Sequence, residues 1–243
     1  MLDFSRFHAF SFDCYGTLIN WEAGILGVLR PLLAVHGQQP SDSEILELYA
    51  ELEPAAQSGE YLHYREVLRN VVHGFGRRLG FAMLPAEADS LPDSLQTWKP
   101  FPDTVEALRR LKRRYKLAVI SNIDDDLFAH TAKHLEVKFD HVITAEHCRS
   151  YKPSLNNFRK AMARMDLPPE RILHVAESLF HDVAPARSLG LRTVWVNRRK
   201  ARSGAAATRF ADVRPDLEVP DLKTLADLVD RSLPGPAIPR PNL

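Results

Sequence analysis

From about residue 100 onward, short apolar runs alternate with longer stretches whose apolar residues recur at helical spacing, and this rhythm constrains the fold more than any other feature of the chain. Leu117–Ile120, His141–Thr144, Ile172–Ala176 and Thr193–Val196 read as strands. Thr104–Tyr115, Asp125–Leu135, Asn156–Met165 and a stretch from about His181 to Leu189 read as helices, the last stopped by Gly190. Strands that are apolar along their whole length have both faces buried. Alternating with helices, they predict an α/β fold with a parallel sheet covered on both sides. An earlier run, Ala9–Phe12, suits the same sheet and delivers Asp13 to a turn marked by Gly16 and Thr17.

The stretch from Trp21 to Trp98 breaks the rhythm. Ile25, Leu26, Leu29, Leu32 and Leu33 form a helical stripe, Ile45–Leu52 and Tyr64–Leu79 suggest two more helices, and no strand signal separates them. An all-helical insertion directly after the first strand would lie over the strand ends as a lid. The expected organisation is a sheet-bearing core at 1–19 and 99–233, a helical cap at 20–98 and a Pro-rich tail at 234–243, with Pro100 and Pro102 marking the return to the core. A chain of 243 residues, 45% hydrophobic, suits one large domain with an insertion.

The formal net charge of +1 gives no electrostatic argument for nucleic acid. The basic run Arg109–Arg114 lies within a helical pattern and reads as a solvated face. No apolar run approaches the roughly 20 residues a bilayer span needs. The start of the chain has no apolar segment of signal-peptide type, and two cysteines are too few for a disulfide framework. The expectation is a cytoplasmic protein without a membrane or nucleic-acid partner.

In a parallel sheet the C-terminal strand ends share one edge, where ligands bind. Polar residues follow the strands at that edge: Asp13, then Ser121 and Asn122, then Lys152, then Glu177, Ser178 and Asp182. A carboxylate such as Asp13 can attack carbon or phosphorus and form an ester that water later cleaves. A cation within about 4–6 Å, such as Lys152, favours its ionised form. Thr17, Ser121 and Asn122 offer donors for an oxyanion or carboxylate, or else cap the following helices. Tyr15 stands two residues after Asp13, and a phenol with a pKa near 10 is a poor acid at neutral pH. His181 either lines the site or faces solvent. His130 and His134 have zinc-like spacing without an accompanying Glu or Cys, and read as a solvated helix face. Trp21, Tyr49, Tyr61 and Tyr64, at helical spacing, read as core before pocket.

Taken in order, these motifs resemble the haloacid dehalogenase superfamily. Asp-x-Tyr-Gly-Thr-Leu at 13–18 resembles its type II 2-haloacid dehalogenase branch. Ser-Asn-Ile-Asp (121–124), Ser-Tyr-Lys-Pro (150–153) and Ala-Glu-Ser-Leu-Phe-His-Asp (176–182) are similar to the L-azetidine-2-carboxylate hydrolase relatives of that branch. The resemblance implies a Rossmann-like core with a helical cap. It implies a hydrolase in which Asp13 displaces halide or amine from the carbon alpha to a carboxylate, through an aspartyl ester. Lys152 would partner Asp13, and Asp182 would orient or deprotonate the water. Thr17, Ser121 and Asn122, with Tyr15 and His181, would surround the substrate. Glu177 would stand where metal-dependent members carry a Mg²⁺ ligand. No cofactor is expected, the partner is a small carboxylate, and a homodimer follows by analogy.

The chain also departs from that pattern. No Arg stands around Leu48–Glu51, where the branch places a halide-receiving Arg in the cap. Phe158 replaces a Tyr six residues after the Lys, and Glu177 and Leu179 replace a Ser and an Asn. These changes favour an amine leaving group, protonated by Glu177 or His181. Two other readings stand beside this one. A Mg²⁺-dependent phosphatase would use Asp13, Glu177 and Asp182 as ligands but would lack an acid where Tyr15 stands. A non-catalytic binding module would be expected to lose Asp13 or Lys152 first.

Overall fold

The computed structural model describes residues 2–198, 211–233 and 235, so the expected tail lies outside the described residues except for Gly235. Strand β1 (Ala9–Phe12) is followed by helices α1 (Trp21–Val35), α2 (Asp42–Ala56), α3 (Tyr64–Leu79) and the short α4 (Ser90–Ser94). The chain then runs through α5 (Thr104–Lys112), β2 (Lys116–Ser121), α6 (Asp125–Leu135), β3 (His141–Thr144), α7 (Ala145–Cys148), α8 (Leu155–Met165), β4 (Ile172–Ala176), α9 (Ala184–Ser188), β5 (Arg192–Val196), β6 (Leu217–Val219) and α10 (Leu222–Ser232). Among the described residues the strands form one sheet in the order β3-β2-β1-β4-β5-β6, and every pairing is parallel.

This order explains the sequence pattern. β1 lies at the centre with all four residues buried, and β4 is buried throughout, because strands flank both edges and helices cover both faces. From β1 the chain builds outward through β2 and β3, then crosses back to β4 on the other side of β1. Such a reversal opens a crevice beyond the carboxyl ends of the strands on either side of it. β1 and β4 pair up to Phe12 and Val175, so Asp13 emerges at that crevice.

The helical insertion leaves and rejoins the sheet at one place. Ile19 bridges antiparallel to Pro100, the Asn20 amide donates to the Lys99 carbonyl (2.9 Å), and Phe101 donates back to Leu18 (3.0 Å). α2 begins with a reciprocal cap, in which the Glu44 amide reaches the Ser41 hydroxyl and the Glu44 carboxylate reaches the Ser41 amide. α1 packs closely on Trp98, and a Cβ at Gly24 would fall inside that indole's contact distance.

The expected strands and helices are present, with three differences. α5 ends at Lys112 and not at Tyr115. The helix expected from His181 opens with a π-turn over Leu179–Val183 and becomes α-helical only at Ala184, before Gly190 takes a left-handed φ of +85°. β6 and α10 gave no strong sequence signal, since β6 is a three-residue edge strand. The basic run is a paired surface: Arg109 meets Glu136, Arg110 meets Asp230 and Lys112 meets Asp140. Cys14 and Cys148 are free and buried, and no described helix is long and apolar enough to cross a membrane.

Candidate active site

The turn after β1 is folded tightly on itself. Leu18 and Ile19 both donate to the Cys14 carbonyl (2.7 and 3.0 Å), and Gly16 donates to Ile19 (2.9 Å). Gly16 has a φ of +96°, a conformation that L side chains rarely adopt. The fold-back brings the Thr17 hydroxyl to the Asp13 carboxylate, where it donates to Oδ2 at 2.6 Å. The same hydroxyl accepts from the Glu177 amide at 2.8 Å. Thr17 therefore fixes the Asp13 carboxylate and ties β1's turn to β4's.

Lys152 arrives from the loop after α7. The Asn122 side chain holds that loop at two points, accepting from the Lys152 amide (2.7 Å) and donating to its carbonyl (3.2 Å). The Lys152 ammonium then donates to Asp13 Oδ1 (2.7 Å), Asp182 Oδ1 (2.6 Å) and the Ile120 carbonyl (3.0 Å). All three of its hydrogens thus have acceptors. Asp182 comes from the π-turn after β4 and meets Nε2 of His174 at 3.1 Å, while Nδ1 of His174 meets the Ser11 hydroxyl at 2.9 Å. A buried chain therefore runs Ser11–His174–Asp182–Lys152–Asp13, with Lys152 only 2% exposed and Asp182 1%.

Burial pushes Asp13 above the ordinary carboxylate value of 3.8, and the nearby Asp182 adds to this, while Lys152 and Thr17 pull it partly back. Burial also acts against the charge of Asp182, but Lys152 and His174 outweigh it and hold Asp182 below its ordinary value. Lys152 is held above its ordinary value because the two carboxylates outweigh its loss of water. The unequal partners explain the split between the two acids. Asp182 has the extra His174 contact, so it keeps its charge more firmly than Asp13.

A small cavity of about 50 Å³ opens over this chain, well below the roughly 300–1,000 Å³ typical of drug-sized ligands. Its walls include Asp13, Tyr15, Ser121, Asn122, Lys152, His181 and Asp182, together with Trp21, Ala50, Glu53 and Tyr64 from the helical insertion. The Ser121 hydroxyl is buried with no hydrogen-bond partner, which leaves a donor for a ligand. A larger cavity, about 590 Å³, lies at the opposite, N-terminal ends of the strands, where Arg187 and Arg192 are both committed to Asp216.

The structure gives several of the expected residues partners of their own. Asn122's side chain is occupied in clamping Lys152, and Thr17's hydroxyl is occupied by Asp13 and the Glu177 amide. Tyr15 borders the cavity, its hydroxyl is engaged with Thr131 (2.6 Å), and burial drives its pKa far up. Glu177 does not line the Asp13 cavity. It borders a neighbouring cleft with Gly16, Trp21 and Arg198. Asp13, Glu177 and Asp182 do not bring ligand atoms within 4.8 Å of one another as a trio, and the Lys152 ammonium bridges two of them. Among the described residues, the one trio of possible ligands within 4.8 Å of one another is His63, Asp124 and Glu146, outside this cavity. His134 bonds the Gln96 carbonyl.

Two site residues escape a sequence reading of strand ends alone. His174 is a polar residue in the middle of an otherwise apolar strand, and that placement was its signal. Glu53 follows Ile45 and Tyr49 on the buried stripe of α2, where a carboxylate is out of place. Trp21 and Tyr64 line the cavity, whereas Tyr49 is core and its hydroxyl lies 3.2 Å from that of Tyr64.

A family profile for haloacid dehalogenase-like hydrolases matches residues 7–190. The haloacetate dehalogenase H-2 of Moraxella sp. (strain B) is 26% identical over 231 residues, which is 92% of this chain and 98% of that protein. The (S)-2-haloacid dehalogenase H-109 of Pseudomonas putida is 28% identical over 225 residues, 89% of this chain and 95% of that one. The solved L-2-haloacid dehalogenase of Xanthobacter autotrophicus shares the fold with a TM-score of 0.76 at 22% identity, over 92% of this chain and 98% of that one.

Proposed function

Since this chain belongs to the haloacid dehalogenase-like hydrolases, on their 2-haloacid dehalogenase-like branch, we propose that it cleaves a bond at the carbon alpha to a carboxylate through an ester on Asp13. The observation that carries this reading is Lys152, bridging Asp13 and Asp182 at the β1–β4 crevice. An Asp13 oxygen attacks the alpha carbon as the leaving group departs with its bonding electron pair. The substrate carboxylate lies against the Ser121 hydroxyl, the buried donor without a partner. Water then attacks the ester carbonyl, and Asp182, held in its ionised form, takes the proton; the acyl C–O bond breaks, Asp13 is restored, and the departing hydroxy acid's oxygen takes that proton back from Asp182. Residues 20–98 serve as a cap over the strand ends, and pairing of the chain at Ile19 and Pro100 supports that division.

Halide and amine both suit this chemistry as leaving groups. Ala50 lines the cavity in the region where the branch would carry an Arg, which favours an amine, as in ring opening of azetidine-2-carboxylate. A Mg²⁺ phosphatase is disfavoured because Asp13, Glu177 and Asp182 are not among the ligand-atom trios within 4.8 Å of one another, and by the neutral, buried Tyr15. Steady-state assays with 2-chloropropionate, azetidine-2-carboxylate and a phosphomonoester, each with Mg²⁺ and with chelator, test the reading. Turnover of a carboxylate substrate without regard to chelator is expected. A single turnover in H₂¹⁸O should leave the label in Asp13, because water attacks the ester carbonyl. Chelator-sensitive phosphate release with no carboxylate turnover overturns the proposal.

A further inference from the structure

Asp182 receives two donors on one oxygen. The Lys152 ammonium (2.6 Å) and Nε2 of His174 (3.1 Å) both reach Oδ1, and Oδ2 accepts from no described residue. An ionised carboxylate can only accept, so Nε2 carries the hydrogen of that contact. The imidazole is itself held. His174 stands opposite Ser11 in the β1–β4 register, where the Ser11 hydroxyl meets Nδ1 at 2.9 Å, and Phe158 of α8 packs edge-on to the ring. His174 is wholly buried, and Asp182 lines the cavity beside Asp13. With Oδ1 turned to Lys152 and His174, Oδ2 is the oxygen left to face that cavity.

An ammonium is a point charge whose hydrogens rotate, so Lys152 alone would take either oxygen of Asp182, or both. The torsion that turns a carboxylate about its Cβ–Cγ bond is broad and sets no choice of its own. A ring N–H in a fixed plane does set one. The difference matters most once Asp13 has been esterified. Asp13 then carries no charge, and Asp182 is the charged partner that Lys152 keeps among its three acceptors. Without His174 the carboxylate would be free to turn both oxygens to the ammonium and leave none for water. We propose that His174 is a positioning residue for ester hydrolysis: by holding Oδ1 it leaves Asp182 Oδ2 to take the proton of the attacking water. The inference rests on the reading of Asp182 as the base and assigns the atom that acts. Oδ2 takes one water proton as the new C–O bond forms, and returns it to the hydroxy acid's oxygen as the acyl C–O bond breaks. The second water proton is left on the Asp13 carboxyl and goes to solvent. Ester formation needs none of this, since the attack by Asp13 uses no base.

His174→Phe keeps a ring and removes the donor, and His174→Gln offers a side-chain amide in its place. Quenched-flow mass spectrometry of the whole protein, with 2-chloropropionate and with azetidine-2-carboxylate, reads the two half-reactions apart. In His174→Phe the mass of the Asp13 ester should build up to most of the protein and kcat should fall at least about tenfold, while ester formation in a single turnover stays within about threefold of the intact rate. His174→Gln should carry less ester than His174→Phe and regain part of the turnover. The inference is overturned if His174→Phe loses turnover without ester build-up, as a merely structural role would give. It is also overturned if that variant keeps full turnover, or if His174→Gln accumulates as much ester. Should His174→Phe not fold, ¹⁵N-labelled histidine in the intact enzyme at pH 7 decides: hydrogen on Nε2 of His174 supports the inference, and a bare Nε2 overturns it. Turnover by the intact enzyme with no ester build-up in His174→Phe sinks this inference alone. No ester and no turnover of either substrate in any of the three proteins sinks the catalytic reading, and this inference with it.

Discussion

Lys152 brings a positive charge into a place nearly without water, and each of its three N–H bonds ends on an oxygen. Removing one partner from a buried charge set leaves the others uncompensated, at a cost of about 3–5 kcal/mol. In Lys152→Met, Asp13 and Asp182 would face each other without a cation, and both would be driven above the ordinary value of 3.8. A folded-state pKa above the unfolded one means the native state gains protons as pH falls. The variant should therefore lose most stability near about pH 8 and recover part of it near about pH 5, as read by urea denaturation at both values. Turnover should fall by at least about 10²–10³ at every pH. In the intact enzyme Asp13 already lies above 3.8, so the acid limb of kcat/KM should have its midpoint above that value. That Asp13 and Lys152 meet was legible because both follow strands whose carboxyl ends share one edge of the sheet. Thr17 and Asn122 were legible only as residue types, since their bonding partners belong to other loops. Phe158, which reads in sequence as a lost hydroxyl, packs edge-on to His174 (ring centroids 5.3 Å apart), and His174 supplies Asp182 with a hydrogen-bond partner. Matching motif positions one at a time misses such an exchange between neighbouring strands and helices.

At the scale of elements, α3 is anchored from outside its own sequence. Asp124 occupies the N-cap position of α6, yet its side chain does not cap α6. Its two oxygens accept instead from the amides of Tyr64 and Arg65, both at 2.9 Å, in the first turn of α3 sixty residues earlier. Those amides have no intrahelical acceptor, and a carboxylate there also complements the positive end of the helix. Asp124→Ala should destabilise the protein by about 1–2 kcal/mol. It should also speed hydrogen exchange at Tyr64–Val67 while leaving the amides of β1 and β4 protected, because the loss is local to the insertion. Equal acceleration in helix and sheet would show that Asp124 holds the whole domain and not the α3 terminus. The existence of α3 was readable from the spacing of Val67, Leu68, Val71, Val72 and Phe75, all of which are buried. Its cap was not, since His63 makes no side-chain bond to the helix and the group that does sits in the loop after β2. The π-turn at Leu179–Val183 was unreadable for a related reason. Apolar spacing marks a helical stretch but not the register shift that turns Asp182 toward Lys152.

For the whole molecule, alternation of strands and helices specified a parallel sheet, but the neighbours of each strand depend on contacts that no local pattern encodes. The far edge of the sheet illustrates this. β6 is only three residues long, and its place beside β5 is secured by Asp216, which accepts from Arg187 and Arg192 (both 2.7 Å) and from the Thr193 amide (2.9 Å). Asp103 does the same for α10, accepting from Arg198 at 2.9 Å and from the Leu222 amide at 2.7 Å. Partial burial acts against the charge of each, but its donors prevail, so both lie below 3.8, as Asp182 does. The unfolded chain therefore takes up protons near 3.8, where the folded protein still refuses them at these sites. Their stabilisation is present above that pH and is lost as pH falls through the folded values. Asp13, with a raised pKa, acts in the opposite direction and gains stability as pH falls through its folded value, above 3.8, but it is one group against Asp103, Asp182 and Asp216 together. Denaturant midpoints should accordingly hold nearly level from about pH 7 to 5 and fall steeply below about pH 4. Asp216→Asn keeps the shape and weakens the ion pairs, so it should lower the midpoint at pH 7 and give a shallower fall on the acid side. An acid dependence as steep as that of the unaltered protein would show that the sheet edge carries none of it, and would shift the effect to Asp103 and Asp182.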